Sequence, residues 1–288
     1  MKNREVIQAI LDYHPQFPPE YAGCDDYKCG DPEAECTGVV VAMSPTIHVI
    51  RKAIELGANL IIVHEPTFYT SQDGPGWFED FPCSVYDEKR ALIDSHGITI
   101  WRDHDHMHAH RPDGIFTGVI KYLGWEDTLE VDTDTGSFAH FHVRFPEMTL
   151  RELMQHVIRT IGLNGARYIG DPEAKVSSLA FVGHLFPGKC MKTKKDGTEL
   201  EYSVGIIDTL ERKVDVIMPG ETIDWTCLSY VRDAVQLGKA KAMISIGHYN
   251  WEELGMRYTA DWLPGLLKGA VPVTYVPSED MYAYELRG

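Results

Sequence analysis

Three observations predict an α/β protein of two domains. The 288 residues exceed what a single hydrophobic core usually fills. Residues 37–66 read strand, helix, strand. The same alternation returns at 87–104 and at 241–267, as expected for parallel sheets covered by helices.

TGVVVAMSPT (37–46) is a short β-branched run, and HVIRKAIELG (48–57) has helical apolar spacing ended by Gly57. ANLIIVHEP (58–66) is a second apolar strand, stopped by Pro66. DEKRALIDSHG (87–97) is a helix ending in glycine, ITIWRDH (98–104) a strand, and DGIFTGVIKYLGW (113–125) a helix. A second half opens with the strand AHFHVRF (139–145) and the helix TLRELMQHVIRTIG (149–162). KCMKTKKDGTELEYS (189–203) reads as a loop or hairpin and VDVIMPGET (214–222) as a strand and turn. WTCLSYVRDAVQLG (225–238) is a helix, 241–267 gives strand, turn and helix, and VPVTYVP (271–277) is a last strand. These patterns place domains at 1–132 and 133–288. YIGDPEAKVSSLAFVG (168–183) echoes KCGDPEAECTGVVVAM (28–43), a Gly-Asp-Pro turn feeding a strand. The echo marks either a duplication or a chance match of turn plus strand.

Composition narrows the function. With 44% hydrophobic and 24% charged residues, a globular fold is expected. The 27 Lys and Arg against 43 Asp and Glu leave a formal charge of −16. That surface repels phosphate backbones, so nucleic-acid binding through a basic face is not expected. Residues 1–15 lack the apolar run of a signal peptide and no stretch approaches a membrane span, so a cytoplasmic location is expected. Six cysteines without a CxxC pair (24, 29, 36, 83, 190, 227) suggest neither zinc ribbon nor disulfide framework.

The candidate chemistry lies at strand ends. WRDHDHMHAH (101–110) packs four histidines among carboxylates. Imidazoles with carboxylates are the ligands of zinc, iron, manganese or nickel, although a solvated loop or a strand extension would also accommodate them. Asp103 or Asp105 could ligate or fix an imidazole from behind. IIVHEP presents His64 and Glu65 at another strand end, and GHYNWEELGM presents His248 with Glu252 one helical turn later. His104 and His108 share that spacing, in what reads as a loop. In open parallel sheets ligands gather beyond the carboxyl ends of strands. The six residues His64, Glu65, His104, His108, His248 and Glu252 exceed one tetrahedral site and suit two divalent ions. His140 and His142 share a strand face and read as packing.

On these blocks the chain resembles the NIF-three-like proteins, some of which carry the name GTP cyclohydrolase type 2. The segments 30–66, 101–125, 214–221 and 240–256 are similar to the family's successive motifs. The resemblance implies two α/β domains with two divalent metals (Zn, Fe, Mn, Ni or Co) between them, residues 241–288 returning to the metal site, and assembly as trimeric or hexameric rings. His64, His104, His248 and Glu252 match the family's ligands, whereas Glu65 stands at a histidine position and His108 at an aspartate position. This compensated exchange keeps the count of both ligand types level.

GHLFPGKC (183–190) approaches a phosphate-binding loop but lacks the Ser or Thr that meets magnesium and a following helix. By resemblance, Gly183 and His184 are substrate contacts. The expected activity is metal-dependent hydrolysis of a C–N bond in a small cyclic amide or heterocycle. Glu65 and His106 would move protons, and Tyr249 would hydrogen-bond the intermediate. The alternative is a non-catalytic ring that stores or senses metal.

Overall fold

Runs of four wholly buried apolar residues build the central strands, because strands covered on both faces have no solvent side on which to alternate. The computed structural model describes residues 1–78, 81–132, 140–183, 190–193 and 197–286. It divides into two compact units, Met1–Val119 with Glu252–Ser278, and Ile120–Trp251 with Glu279–Gly288. Patterning had put the boundary at 132/133 and the return near 241.

The chain opens with α1 (Asn3–Tyr13), β1 (Asp26–Cys29), β2 (Val39–Ala42), α2 (Ile47–Leu56) and β3 (Leu60–Val63). It continues through α3 (Ser84–Ser95), β4 (Thr99–Arg102), the short α4 (Asp105–Ala109) and α5 (Gly114–Leu123). The second unit holds β5 (Leu129–Asp132), β6 (His140–Thr149), α6 (Leu150–Ile161), β7 (Arg167–Ile169) and β8 (Lys175–Val182). There follow β9 (Cys190–Thr193), β10 (Glu199–Glu201), α7 (Tyr202–Arg212), β11 (Val216–Pro219), α8 (Cys227–Gln236) and β12 (Ala242–Ser245). Last come α9 (His248–Leu266) and β13 (Val273–Tyr275).

In the first unit the strand order is β1-β4-β3-β2-β13. Only β1 is antiparallel to its neighbour. In the second the order is β5-β6-β8-β11-β12-β7, where β8, β11 and β12 run parallel and β7 antiparallel. The series β1-β4-β3-β2 therefore has the order and directions of β7-β12-β11-β8.

The GDPEA echo belongs to this repetition. In each copy the Asp side chain accepts the amide two residues on, Asp31 from Glu33 at 2.8 Å and Asp171 from Glu173 at 3.0 Å. The first amides of a helix dock on each turn: Arg4 on Pro32 O at 2.9 Å, Arg151 on Pro172 O at 3.0 Å. The same arginines pair with Glu33 and Glu173, and each helix begins Met-x-x-Arg-Glu (1–5, 148–152). A chance turn match would not reproduce the helix that caps it, so duplication is the better reading of the echo.

His104 and His108 do not lie in a loop. His104 is the N-cap of α4 and His108 lies within it, with the His108 amide donating to His104 O at 3.1 Å. The cap comes from a distant side chain, since Asp25 accepts the amides of His104, Asp105 and His106 at 2.8–2.9 Å. After the phosphate-loop look-alike comes β9, not a helix.

Candidate metal centre

Parallel pairing sets Val63 against Arg102, so the next residues, His64 and Asp103, emerge side by side at the carboxyl ends of β3 and β4. The Asp103 amide donates to Val63 O at 2.8 Å, and the amides of His64 and Glu65 donate to Met43 O. His64 is wholly buried. Its Nδ1–H donates to Asp103 O at 3.1 Å. That bond places the lone pair on Nε2, which faces Glu252 Oε2 at 3.3 Å. The pair is buried, with His64 at 0% and Glu252 at 3% exposure.

Burial first, and then the His104 imidazole, push the His64 pKa down to about 3, so the ring is neutral at physiological pH. Two atoms of metal-ligand type, an imidazole nitrogen and a carboxylate oxygen, thus face each other in a buried setting. The spacing exceeds an ordinary N–H···O bond. It matches the edge of a tetrahedron whose metal–ligand distances are about 2.0–2.1 Å. A cation fits there.

Around His64 two donor groups converge. His64, His104 and His108 form one and His64, Glu65 and Glu252 the other, the donor atoms of each lying within 4.8 Å of one another. The His104 ring stacks on His64 at 4.4 Å and the His108 ring lies 5.0 Å away. Behind them Nδ1 of His104 bonds Asp105 at 2.7 Å and Nδ1 of His108 bonds Asp113 at 2.9 Å. Carboxylates in this position fix tautomer and ring orientation for metal binding. The hydrogen bond from His104 holds Asp105 well below the usual carboxylate range, against burial. Glu65 bonds Arg102, which also donates to His64 O and Ser71 O and so clamps the loop.

His248 belongs to the second unit, at the first residue of α9, where its Nδ1 bonds Glu221 at 2.7 Å. Tyr249 is half-buried beside it. Gly183 follows β8, and its carbonyl accepts the Gly220 amide; His184 lies outside the described residues. His142 is buried in β6, and the His140 side chain also lies outside the described set. His106 turns away from the His64 group and bonds Asp25 at 2.6 Å. Arg102, Asp113 and Asp25 escaped the sequence reading. The only hint was Asp113, five residues past His108.

Cys24, Cys29 and Cys36 are all free. Cys24 stands with His104 and Asp105 in a further potential donor group. Burial pushes its thiol up to about 12, which makes it a hydrogen-bond donor to Asp105.

Depression of the His64 pKa has a consequence for stability. Between about pH 6.5 and 3 the unfolded chain binds a proton on this ring that the folded chain does not. The contribution is therefore complete above about 6.5 and declines as pH falls towards 3. Urea midpoints of metal-free protein are expected to fall more steeply over this range in the wild type than in His64→Gln. Parallel curves would refute the assignment.

Fold and site together define an α/β protein with a histidine–carboxylate cluster at the strand ends of a parallel sheet, suited to a divalent metal. The chain belongs to the Duf34/NIF3 (NGG1p interacting factor 3) family, whose profile matches residues 4–199. A GTP cyclohydrolase 1 type 2 homolog of Clostridium acetobutylicum is 24% identical over 257 residues, 88% of this chain and 85% of that one. The fold is shared with protein SA1388 of Staphylococcus aureus, with TM-score 0.68, 18% identity and 99% of both chains covered. A Bacillus cereus protein related to NIF3 gives TM-score 0.69 at 15% identity, again with 99% of both chains covered. Among the described residues no helix is long and apolar enough to cross a membrane.

Proposed function

We propose that the protein is a dinuclear metal-dependent hydrolase that opens a C–N bond in a small cyclic amide or heterocycle, the class suggested by its relatives' name. The observation that carries the reading is the buried His64 Nε2 facing Glu252 Oε2 at 3.3 Å, inside a cluster whose other imidazoles are held from behind by carboxylates. His64, Glu65, His104, His108 and Glu252, all in the first unit, would hold the ions. Ring assembly belongs to the same proposal.

Divalent ions held there would supply Lewis acidity, making water acidic enough to attack at neutral pH and offsetting the negative charge that develops. The chain's own residues do the rest. His104 and His108 keep 26% and 28% of their side chains exposed, so this side of the centre admits a small molecule while the His64–Glu252 side is closed. Glu65, 19% exposed and bonded to Arg102, takes the proton from the attacking water and returns it to the departing nitrogen. Arg102 aims that carboxylate through the contact of its guanidinium at 3.3 Å. His106 is grouped with Asp25 and Asp103, so proton transfer rests on Glu65.

Metal-loaded protein screened against lactams, cyclic imides and purine nucleotides is expected to hydrolyse at least one of them. On that substrate Glu65→Gln should lower kcat by about 10²–10⁴-fold, the usual contribution of a positioned acid–base group. A fully loaded protein inert across the panel would overturn the catalytic reading. It would leave the second one, a centre that stores or senses an ion, which the deep burial of His64 and Glu252 favours.

A further inference from the structure

The second unit holds a cavity of about 360 Å³, within the size range of small-molecule sites. Its floor is the β7–β12 pair, where Arg167 stands opposite Ser245 and Ile169 opposite Met243. Its roof is one face of α8, with Leu228 and Arg232 a helical turn apart. Thr222, in the segment that joins β11 to α8, closes the end beyond the parallel strands, where ligands of such sheets gather. We propose that this cavity binds a small organic anion, a single carboxylate or phosphate head on a compact apolar body.

Internal duplication is the first ground, because it explains why the space is open. Thr99 stands beside Leu60 and Val39 in one copy, and Ala242 beside Val216 and Leu179 in the other. Both strands are four residues long, so Ser245 at the end of β12 is the counterpart of Arg102 at the end of β4. In the first unit the Arg102 side chain fills this place. It is 4% exposed and donates to His64 O and Ser71 O, in the segment after β3. A serine is too short to reach so far, and the room stays open as the cavity.

Unused donors are the second ground. Among the described residues Arg167 and Arg232 form no ion pair with a carboxylate, and Arg167 reaches Thr222 Oγ1 at a long 3.4 Å. Ser245 is 5% exposed, and its hydroxyl has no partner among the described residues, although buried polar groups are nearly always bonded. The formal charge of −16 keeps free anions away from most of the surface. Two guanidiniums lining one recess reverse that locally, and their planar fork matches a carboxylate or a phosphate.

The rest of the lining sets the shape of the ligand. Ile169, Leu228 and Met243 form an apolar wall, the last two 8% and 3% exposed, which suits a hydrocarbon or aromatic body. Ser229 adds a hydroxyl on the α8 side. Asp224, exposed at the rim, offsets one of the two positive charges and so favours a single anionic head. All of these residues lie in the second unit, and the donors around His64 lie in the first. The proposal therefore stands whether or not the metal centre is catalytic.

Calorimetric titration of the metal-loaded protein with benzoate and with phenyl phosphate, against neutral benzyl alcohol, tests the site. At least one of the anions should bind and the alcohol should not, and which anion binds identifies the head group. Arg232→Gln, at an exposed helix position where folding is readily confirmed by Tm, should weaken binding by about 10-fold or more. Ser245→Arg, which restores the side chain of the first unit, should abolish it. His64→Ala should leave the affinity unchanged, which separates this site from an anion resting on the metal centre. Crystals grown with the tighter anion should show it between β7 and α8. Absence of binding by both anions in solution would overturn the proposal. Equal affinity in wild type and Arg232→Gln, or affinity lost in His64→Ala, would do the same.

Discussion

Replacing His64 with alanine is expected to empty the metal centre. This imidazole is the one donor common to both groups at the strand ends, so its loss breaks each of them. Nothing nearby can take its place, because its position is set by backbone pairing. His64 and Asp103 are neighbours through the β3–β4 register, and the ring is held by a main-chain carbonyl. Removing a group that only orients a ligand costs about 10–100-fold in metal affinity, so loss of the ligand itself should cost more than about 100-fold. Elemental analysis after dialysis reads the first consequence. A second is thermodynamic, since an ion that binds only the folded state stabilises it by mass action. Chelator should therefore lower the Tm of the wild type by more than that of His64→Ala. Full metal retention in this variant would eliminate the centre as drawn.

Gly118→Val should damage stability and metal binding together. A Cβ at Gly118 would stand 2.6 Å from Leu254 O and 2.7 Å from Gly255 Cα, and one at Gly255 would stand 2.6 Å from Ile115 Cα. Here α5 and α9 approach backbone to backbone, with no flexible side-chain end that could yield. Overpacking costs about 1–3 kcal/mol where side chains can adjust; against main chain the cost should reach roughly 3 kcal/mol or more. Relief requires α9 to shift, and α9 carries Glu252 within a turn of this contact. We expect a Tm lower by several degrees, as about 1 kcal/mol corresponds to ~2–4 °C at this size, and ion affinity weakened by about 10-fold. Gly255→Val should behave alike, and the double variant should cost less than the sum because both relieve the same contact. A Gly118→Val protein of unchanged Tm would show that the two helices do not meet this closely.

Neither glycine drew notice in the sequence, and the reason is physical. Each sits inside a helical pattern, where glycine is a mild local liability, and the contact that demands it comes from a helix distant in the chain. α4 escaped in the same way, because its first amides are capped by the distant Asp25 side chain and not by that of its N-cap residue, His104. The helix α7 was hidden by Gly205 and a polar approach. The elements that were legible are those whose signal is local. Buried tetrads such as VVVA and LIIV announce strands by composition. Gly57, in the left-handed region at φ 67°, closes α2 where the pattern ends. His64, His104, His108 and Glu252 were readable because strand ends and helix starts are local features too.

Which histidines act together was decided by the third dimension. Had residues 104–110 continued β4 as a strand, side chains would alternate by about 180° and all four imidazoles would share one face. Because Asp25 winds the segment into a helical turn, each step rotates by about 100°. His104 and His108 return to the same side, towards His64, while His106 points across to Asp103. Residue types and strand ends follow from short-range pattern alone. Their division into partners follows from a carboxylate that only folding brings to the place.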